Sequence, residues 1–366
     1  MTPGPHIEPL RVVVAGGGTG GHLYPGIAVA RELLRRRPDA VVTFAGTARG
    51  IESRVVPREG FELDVLRSSG LKGSSISGVL KGLSILPASA LDAWRILSRR
   101  RPRLVIGVGG YSSGPVVFAA AMRRISTMLL EQNAVPGLTN RLLANVVSAA
   151  AVTFEPTVSF FGRRGFVAGN PVRPEFLSHD VGVSQREGAP PRVLIFGGSQ
   201  GAHAINMAMV AAAPRLAAAG LVDITHQTGE RDVDVVRRGY ADAGIPARVE
   251  PFLFAMDREM KDAGVIVCRA GATTIAEVTA AARAAILVPL PTAADDHQRK
   301  NAEVLANAGA AELIAQNELT GTLLAERIVR LATDEPRRLR MAAAAAAFAR
   351  PDAARVIVDR ALALVT

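Results

Sequence analysis

The fold is decided by the stretch Arg11-Val12-Val13-Val14-Ala15-Gly16-Gly17, which returns in the second half of the chain as Arg192-Val193-Leu194-Ile195-Phe196-Gly197-Gly198. Each stretch is a short apolar run, rich in β-branched residues, that stops at glycines and passes into a helical pattern. This is the strand–loop–helix unit of a doubly wound α/β domain, in which ligands bind beyond the carboxyl ends of the strands. Two such units predict two similar domains that face one cleft and act on a phosphate-bearing ligand.

Composition limits what the protein can be. A chain of 366 residues, 49% of them apolar, is long enough for two or three domains with full cores. The single cysteine, Cys268, excludes a disulfide framework and a cysteine-rich metal site. The first residues do not form a signal-peptide pattern, and no apolar run reaches about 18 residues, so we expect a cytoplasmic protein. The net charge of +10 favours anionic partners.

Strand patterns alternate with helical patterns in both halves, which predicts parallel sheets covered by helices on both faces. A stretch at 169–191, rich in Pro, Gly, Ser and charge, marks the domain boundary. We predict a first domain over 1–170 and a second over 171–350, with a last helix over 351–366 that rejoins the first domain. Strands are predicted near 11–15, 41–45, 61–66, 104–108, 126–130 and 149–153, and near 192–196, 222–226, 264–268 and 284–288.

The first glycine loop, Gly16-Gly17-Gly18-Thr19-Gly20-Gly21-His22, would let backbone amides approach a diphosphate at a helix start. It matches G-x-G-x-x-G, but the second strand ends in Phe44-Ala45-Gly46-Thr47, without the acidic residue of a dinucleotide site. This disfavours a nicotinamide or flavin enzyme. His22 lies in the first helical turn, where it is either a general base or a histidine that caps or packs the helix.

More polar loops follow other predicted strands. Gly107–Pro115 opens a helix, and Glu131-Gln132-Asn133 offers a carboxylate and two amides. Gly169–Arg173 delivers an arginine suited to phosphate or carboxylate. In the second half, Gly197–Ala202 is another phosphate-type loop, and Arg269–Glu277 begins a helix whose amides suit a diphosphate.

Two helix positions in the second half suit a sugar. Glu277 can hold the two hydroxyls of a ribose, or it is an ordinary surface charge. Gln298 and Asn301 are three residues apart, share a helix face and can bind sugar hydroxyls. The neighbouring Asp295-Asp296-His297 matches no metal template, because adjacent helical residues point in different directions. We therefore expect chemistry without a metal or other cofactor, in which a helix start stabilises the leaving diphosphate.

In this order, the motifs resemble those of the MurG family, the UDP-N-acetylglucosamine–N-acetylmuramyl-(pentapeptide) pyrophosphoryl-undecaprenol N-acetylglucosamine transferases. The resemblance covers nearly the whole chain. It implies the α/β GT-B glycosyltransferase fold, with two Rossmann-like domains. It also implies an inverting reaction of peptidoglycan synthesis, in which the C4 hydroxyl of lipid-linked N-acetylmuramyl-pentapeptide (lipid I) attacks UDP-GlcNAc and gives lipid II. Such an enzyme works as a peripheral protein on the cytoplasmic face of the cell membrane.

The resemblance also implies roles for individual residues. His22 is the leading candidate for the catalytic base and Glu131 its rival. Glu277 would hold the ribose, and the backbone of Leu253 would read uracil. Leu130 departs from the family, which often has histidine there. The implied substrate contacts are Thr19, Gly20, Gly21, Asn133, Arg173, Ser199, Leu253, Ala272, Thr273, Thr274, Ile275, Ala276, Glu277 and Gln298.

The segment 71–86 has apolar residues at helical spacing with lysines nearby, which suits docking on an anionic membrane or, equally, packing on a core. Other readings remain open: a GT-B UDP-sugar transferase with another acceptor, or a UDP-sugar epimerase. Nucleic acid is not an expected partner, since aromatic residues make up only 4% and are not interleaved with the basic ones.

Overall fold

The computed structural model describes residues 8–68, 76–176, 191–198, 201–221 and 223–365, and only the backbone over 76–86. The chain divides into two compact units. Unit 1 consists of Met1–Pro171 together with Arg350–Thr366, and unit 2 is Val172–Ala349.

Unit 1 contains a seven-stranded sheet whose paired strands all run parallel, in the order β3-β2-β1-β4-β5-β6-β7. Its strands are β1 Arg11–Gly16, β2 Val41–Gly46, β3 Glu62–Val65, β4 Leu104–Gly109, β5 Ser126–Glu131, β6 Ala149–Val152 and β7 Gly165–Val167. Its helices are α1 Gly20–Arg36, α2 Glu52–Arg58, α3 Ile76–Arg100, α4 Ser113–Met122, α5 Leu138–Leu143 and, after unit 2 in the chain, α13 Ala353–Ala363.

Unit 2 repeats this topology with a six-stranded parallel sheet in the order β10-β9-β8-β11-β12-β13. Its strands are β8 Val193–Phe196, β9 Ile224–Gln227, β10 Arg248–Glu250, β11 Val265–Cys268, β12 Ala284–Leu287 and β13 Glu312–Leu313. Its helices are α6 His203–Ala218, α7 Val233–Asp242, α8 Met256–Asp262, α9 Ala272–Ala280, α10 His297–Asn307, α11 Gly321–Thr333 and α12 Glu335–Ala346.

Burial explains why the strands formed where the apolar runs lie. Every residue of β4, β6, β8, β11 and β12 is buried, as expected for central strands covered by helices on both faces. The core on one face of the unit 1 sheet includes Ile357, Val358 and Ala361 of α13. The sequence patterns did not indicate β7, β10, β13, α2 or α8, because elements of two to seven residues are too short to show a period.

Candidate active site

A cavity of about 560 Å³ lies in unit 2 where the glycine loop after β8 and the loop after β11 come together. The carboxyl ends of adjacent parallel strands meet at the same edge of a sheet, so loops far apart in the chain meet there. The cavity is lined by Gly197, Gly198, Gly201, Ala202, His203, Ala204, Arg269, Gly271, Thr274, Leu290, Gln298 and Gln316.

Two helices begin at this cavity. α6 starts at His203 after the glycine loop, and α9 starts at Ala272 with Gly271 as its N-cap residue. Backbone amides in the first turn of a helix lack intrahelical partners and carry partial positive charge, so two helix starts at one cavity favour an anion. Arg269 adds a full positive charge to the lining. Its guanidinium is fixed by hydrogen bonds to Val288 O (3.0 Å) and Gln316 Oε1 (2.7 Å).

The predicted sugar pair on α10 separates in the structure. Gln298 lines the cavity, and its Oε1 accepts hydrogen bonds from Ala270 N (3.3 Å) and Leu290 N (3.0 Å). Asn301 is 0% exposed, and its Nδ2 donates to Ala270 O at 3.3 Å. Asn301 therefore supports the loop from inside the fold, and the expectation that it binds sugar hydroxyls needs correction. The two residues share a helix face, but Asn301 is fully buried whereas Gln298 lines the cavity.

Glu277 lies on α9 with its side chain mostly buried, and its Oε1 accepts a hydrogen bond from Arg173 Nη2 at 3.1 Å. Burial raises the pKa of Glu277 above its ordinary value, and the nearby Arg173 guanidinium opposes that rise. The structure thus brings together two residues that are 104 positions apart in the chain and that were predicted separately. Glu277 is a buried, paired carboxylate and not an ordinary surface charge.

The backbone of Leu253 is less available than predicted. Its amide N–H donates to Gln227 Oε1 at 2.9 Å, and Gln227 Nε2 donates to Gly198 O at 3.0 Å. A base that contacts Leu253 would have to use its carbonyl oxygen or displace Gln227. Leu253 itself is buried, whereas Phe252 and Phe254 on either side are exposed, and Phe254 is 91% exposed.

The first turns of α9 contain the remaining predicted contacts of unit 2. Thr274 lines the cavity, whereas the side chains of Ala272 and Ile275 are buried, so they can offer a ligand only backbone atoms. Thr273 Oγ1 is buried and has no hydrogen-bond partner among the residues that the structure describes. Ala276 follows in the same helix. Ser199 lies outside the described residues.

Sequence patterns missed a polar network beneath the start of α6. His203, which lines the cavity, places Nδ1 3.0 Å from both carboxylate oxygens of Asp232. Asn206 Nδ2 donates to the same carboxylate, and Asn206 Oδ1 is 3.1 Å from Nε2 of the fully buried His226. Burial lowers the pKa of His226 to about 3, so its imidazole is neutral in the folded protein. In the sequence, the only signal for this polar network is the position of His203 directly after a glycine loop.

In unit 1, His22 lies in the first turn of α1, which begins with Gly20 and Gly21. Thr19 Oγ1 is 3.1 Å from His22 Nδ1, within hydrogen-bonding distance. The imidazole lies against Gly109, where an added Cβ would come within 2.8 Å of His22 Cδ2. The glycine loops after β1 and β4 are therefore neighbours, and glycine at 109 leaves room for the ring.

Glu131, the rival base, has different surroundings. It is 3% exposed, and its carboxylate accepts hydrogen bonds from Asn133 N (3.0 Å), Gly137 N (3.1 Å), Asn140 Nδ2 (2.8 Å) and Asn133 Nδ2 (3.3 Å). Burial raises its pKa, opposed by these donors. A carboxylate with four donors holds a loop in shape and is poorly placed to take a proton from a substrate. Leu130, the residue before Glu131, is buried in the core.

Two kinds of feature are absent from the described part of the chain. No group of three or more His, Cys, Asp or Glu side chains there could hold a metal ion. None of the helices in the same residues is both long and apolar enough to cross a bilayer.

Two all-parallel sheets with one shared strand order, each ending in glycine loops, match the GT-B class of glycosyltransferases. Family models identify the branch of that class. The Glycosyltransferase family 28 N-terminal domain matches residues 12–152, and the corresponding C-terminal domain matches residues 192–357. The chain belongs to glycosyltransferase family 28, and the resemblance to the MurG family is confirmed by its relatives.

Two curated relatives share the name UDP-N-acetylglucosamine--N-acetylmuramyl-(pentapeptide) pyrophosphoryl-undecaprenol N-acetylglucosamine transferase. The protein of that name from Anaeromyxobacter sp. (strain K) is 48% identical over 358 residues, covering 97% of this chain and 93% of the relative. The one from Pelobacter propionicus is 46% identical over 375 residues, covering 96% of this chain and 99% of the relative.

Solved structures agree with this placement. Acinetobacter baumannii MurG is similar with a TM-score of 0.82 at 31% identity, covering 97% of this chain and all of that one. The UDP-GlcNAc 2-epimerase of Neisseria meningitidis has a TM-score of 0.66 at 12% identity, covering 96% and 99%. At that identity the epimerase shares the fold alone.

Proposed function

We propose that this enzyme transfers N-acetylglucosamine from UDP-GlcNAc to the C4 hydroxyl of lipid-linked N-acetylmuramyl-pentapeptide, with inversion at the anomeric carbon. One observation carries the proposal: two helix starts and the guanidinium of Arg269 converge on one cavity in unit 2. That arrangement suits the diphosphate of a nucleotide sugar. The names of the relatives supply the identity of the sugar and of the acceptor.

The contacts to the UDP part of the donor come from unit 2. The diphosphate binds the amides at the starts of α6 and α9, together with the loop that contains Ser199. Glu277 accepts hydrogen bonds from the two ribose hydroxyls while Arg173 holds its carboxylate in place. Gln298 lies at the cavity wall with its Oε1 bound to two backbone amides, which leaves its Nε2 to contact the sugar or phosphate.

The base comes from unit 1. With Nδ1–H donating to Thr19 Oγ1, the lone pair of His22 lies on Nε2. Nε2 takes the proton from the C4 hydroxyl as that oxygen bonds to the anomeric carbon of N-acetylglucosamine. The bond from that carbon to the diphosphate oxygen breaks, and UDP leaves with the electron pair. The amides at the two helix starts stabilise the charge that develops on the leaving diphosphate.

Transfer of labelled N-acetylglucosamine from UDP-GlcNAc to a short-chain lipid I analogue, with UDP release measured in parallel, tests the proposal. Product with the acceptor and no reaction without it is the expected result. Conversion of UDP-GlcNAc to UDP-N-acetylmannosamine in the absence of acceptor would instead establish an epimerase. A soluble amino sugar that served as well as the lipid analogue would establish a transferase with another acceptor.

The acceptor requires a membrane surface, and we infer that unit 1 provides the contact as a peripheral protein on the cytoplasmic face. α4 packs against both α3 and α5. These helices expose apolar side chains, and Arg123 lies 4.8 Å above the Trp94 ring. Such a mixture suits an anionic interface. Of the predicted segment, 71–75 and the side chains of 76–86 lie outside the described residues. The exposed apolar residues are Leu91, Trp94, Phe118, Met122, Leu138 and Leu142.

Co-sedimentation with vesicles of phosphatidylglycerol and phosphatidylcholine tests this contact. Leu142→Glu and Met122→Glu should each leave more protein in the supernatant, because a carboxylate in the interface is repelled by anionic lipid. Val235→Glu, which changes an exposed valine of unit 2, is the matched control and should sediment like the wild type. Equal sedimentation of all four proteins would remove these helices from the membrane contact.

A further inference from the structure

Glu52 lies buried beside the first glycine loop, 1% exposed, and was not indicated by any sequence pattern. It is the first residue of α2, and its carboxylate accepts hydrogen bonds from Gly18 N at 2.8 Å and Thr47 N at 2.9 Å. The Thr47 hydroxyl donates a third at 2.8 Å. One side chain therefore joins the loop after β1 to the loop after β2.

The backbone is shaped around this side chain. An added Cβ at Gly17, Gly46 or Gly50 would overlap the side chain of Glu52. These three glycines, at or just after the ends of β1 and β2, thus leave the space that the carboxylate fills. The glycine pattern in the sequence, which looks like a phosphate loop, partly serves to accommodate this internal anion.

The carboxylate is ionised at neutral pH. Burial alone would raise the pKa of Glu52, but the amides of Gly18, Thr47 and Glu52 together with the Thr47 hydroxyl outweigh burial and hold the pKa below its ordinary value. A negative charge bound to loop amides is what a ligand phosphate provides in nucleotide-binding loops. In unit 1 the chain itself supplies that charge, whereas the loop of unit 2 that contains Gly197, Gly198 and Gly201 lines the cavity.

The glycine loop that Glu52 binds continues directly into the turn of α1 that contains the candidate base, His22. Gly18 is followed by Thr19, the N-cap residue of α1, whose carbonyl oxygen accepts from His22 N at 3.3 Å and Leu23 N at 3.1 Å. The Thr19 hydroxyl is also within hydrogen-bonding distance of the His22 ring. Any shift of Gly18 therefore moves both the backbone and the side-chain contact of His22.

We propose that Glu52 is a positioning residue for the transfer reaction, a built-in anion that fixes the first glycine loop and thereby the imidazole of His22. The proposal rests on the role of His22 in the proposed function. Glu52 contacts neither donor nor acceptor. Its loss should slow the chemical step and leave nucleotide binding in unit 2 unchanged.

The test replaces Glu52 by glutamine. The amide keeps the size of the side chain but turns an NH₂ group toward Gly18 N–H or Thr47 N–H, so one donor faces another and the loop shifts. A displacement of about 1 Å costs about 10²-fold in rate, so kcat should fall by about that factor, while the Kd for UDP stays unchanged. Glu59→Gln is the matched control, since Glu59 is the C-cap residue that follows the same helix and pairs with the exposed Arg31.

Glu52→Gln with the kcat of the wild type would overturn the proposal, and so would equal losses of kcat and UDP affinity, which indicate general unfolding. If Glu52→Gln does not fold, Thr47→Val removes one donor to the same carboxylate and Thr47→Ser restores a hydroxyl. A kcat that falls in the valine variant and recovers in the serine variant supports the proposal, and equal kcat values overturn it.

A second readout needs no substrate. The ¹⁵N chemical shifts of the His22 imidazole should change in Glu52→Gln and stay as in the wild type in Glu59→Gln. Unchanged shifts in Glu52→Gln would overturn the positioning role even if the wild type proved inactive on lipid I. Inactivity of the wild type would by itself refute only the proposed function.

Discussion

Replacing Glu277 by alanine tests the donor site at its most buried charged contact. The side chain is 12% exposed, so water cannot readily replace the carboxylate. A ribose hydroxyl that donates to a carboxylate contributes roughly 1.5–3 kcal/mol. For two such bonds the lower end gives about 3 kcal/mol, which raises the KM for UDP-GlcNAc by about 10²-fold. Because Glu277 contacts the ribose and not the reacting atoms, kcat should change little.

The decisive assay compares inhibition by UDP and by 2′-deoxy-UDP. The wild type should bind the deoxy compound more weakly, because one hydroxyl no longer reaches Glu277. Glu277→Ala should bind both compounds equally, since the discriminating group is gone. Glu326→Ala, at an exposed position of α11, is the control and should keep the discrimination. An unchanged donor KM, or a variant that still prefers UDP as strongly as the wild type does, would refute the ribose assignment.

Three further predictions follow from the site and the core. His22→Ala should lower kcat by about 10²–10⁴-fold with little change in donor KM, as for loss of a general base; steady-state kinetics check this, and retention of most turnover would remove His22 from the role. Treatment with EDTA should leave the transfer rate unchanged, and a rate abolished by EDTA and restored by Mg²⁺ would contradict stabilisation of the leaving group by amides alone. His226 has a pKa of about 3 in the folded protein and about 6.5 in the unfolded chain. As the pH falls below 6.5, the unfolded chain gains a proton that the folded protein does not, so the free energy of unfolding decreases. Between pH 6.5 and 5.0 this costs up to about 2 kcal/mol, and urea unfolding at pH 7.5 and 5.0 should show a smaller loss for His226→Gln; equal losses would contradict the reasoning.

The repeated strand–glycine stretches were enough to predict the fold. Apolar runs predict the strands, and the runs that end in glycines also mark where the next helix begins. Ten of the thirteen strands that the structure describes were predicted from such apolar runs. The loops at the carboxyl ends of the strands were also visible, since position along the chain predicts position at a sheet edge.

The sequence did not show how deeply a polar residue is buried or which residues it is hydrogen-bonded to. Gln298 and Asn301 lie three residues apart on the same face of α10, yet only Gln298 lines the cavity. The spacing of residues shows which helix face they share, but it does not show how far each side chain lies from the surface. Glu131 was identified as a polar residue at a strand end, but its four donors become apparent only when the loop is folded. Glu52 was missed because its partner Gly18 is 34 positions away.

The position of α13 has a consequence for how the protein is made. The helix follows all of unit 2 in the chain, yet Ile357, Val358 and Ala361 complete the core of unit 1. During synthesis, unit 2 is made as one uninterrupted segment. The core of unit 1, in contrast, stays incomplete until α13 has been synthesised, because that helix follows unit 2 in the chain. Nascent unit 1 therefore presents an apolar face for the whole time that unit 2 is being made, which makes it the half that chaperones would bind.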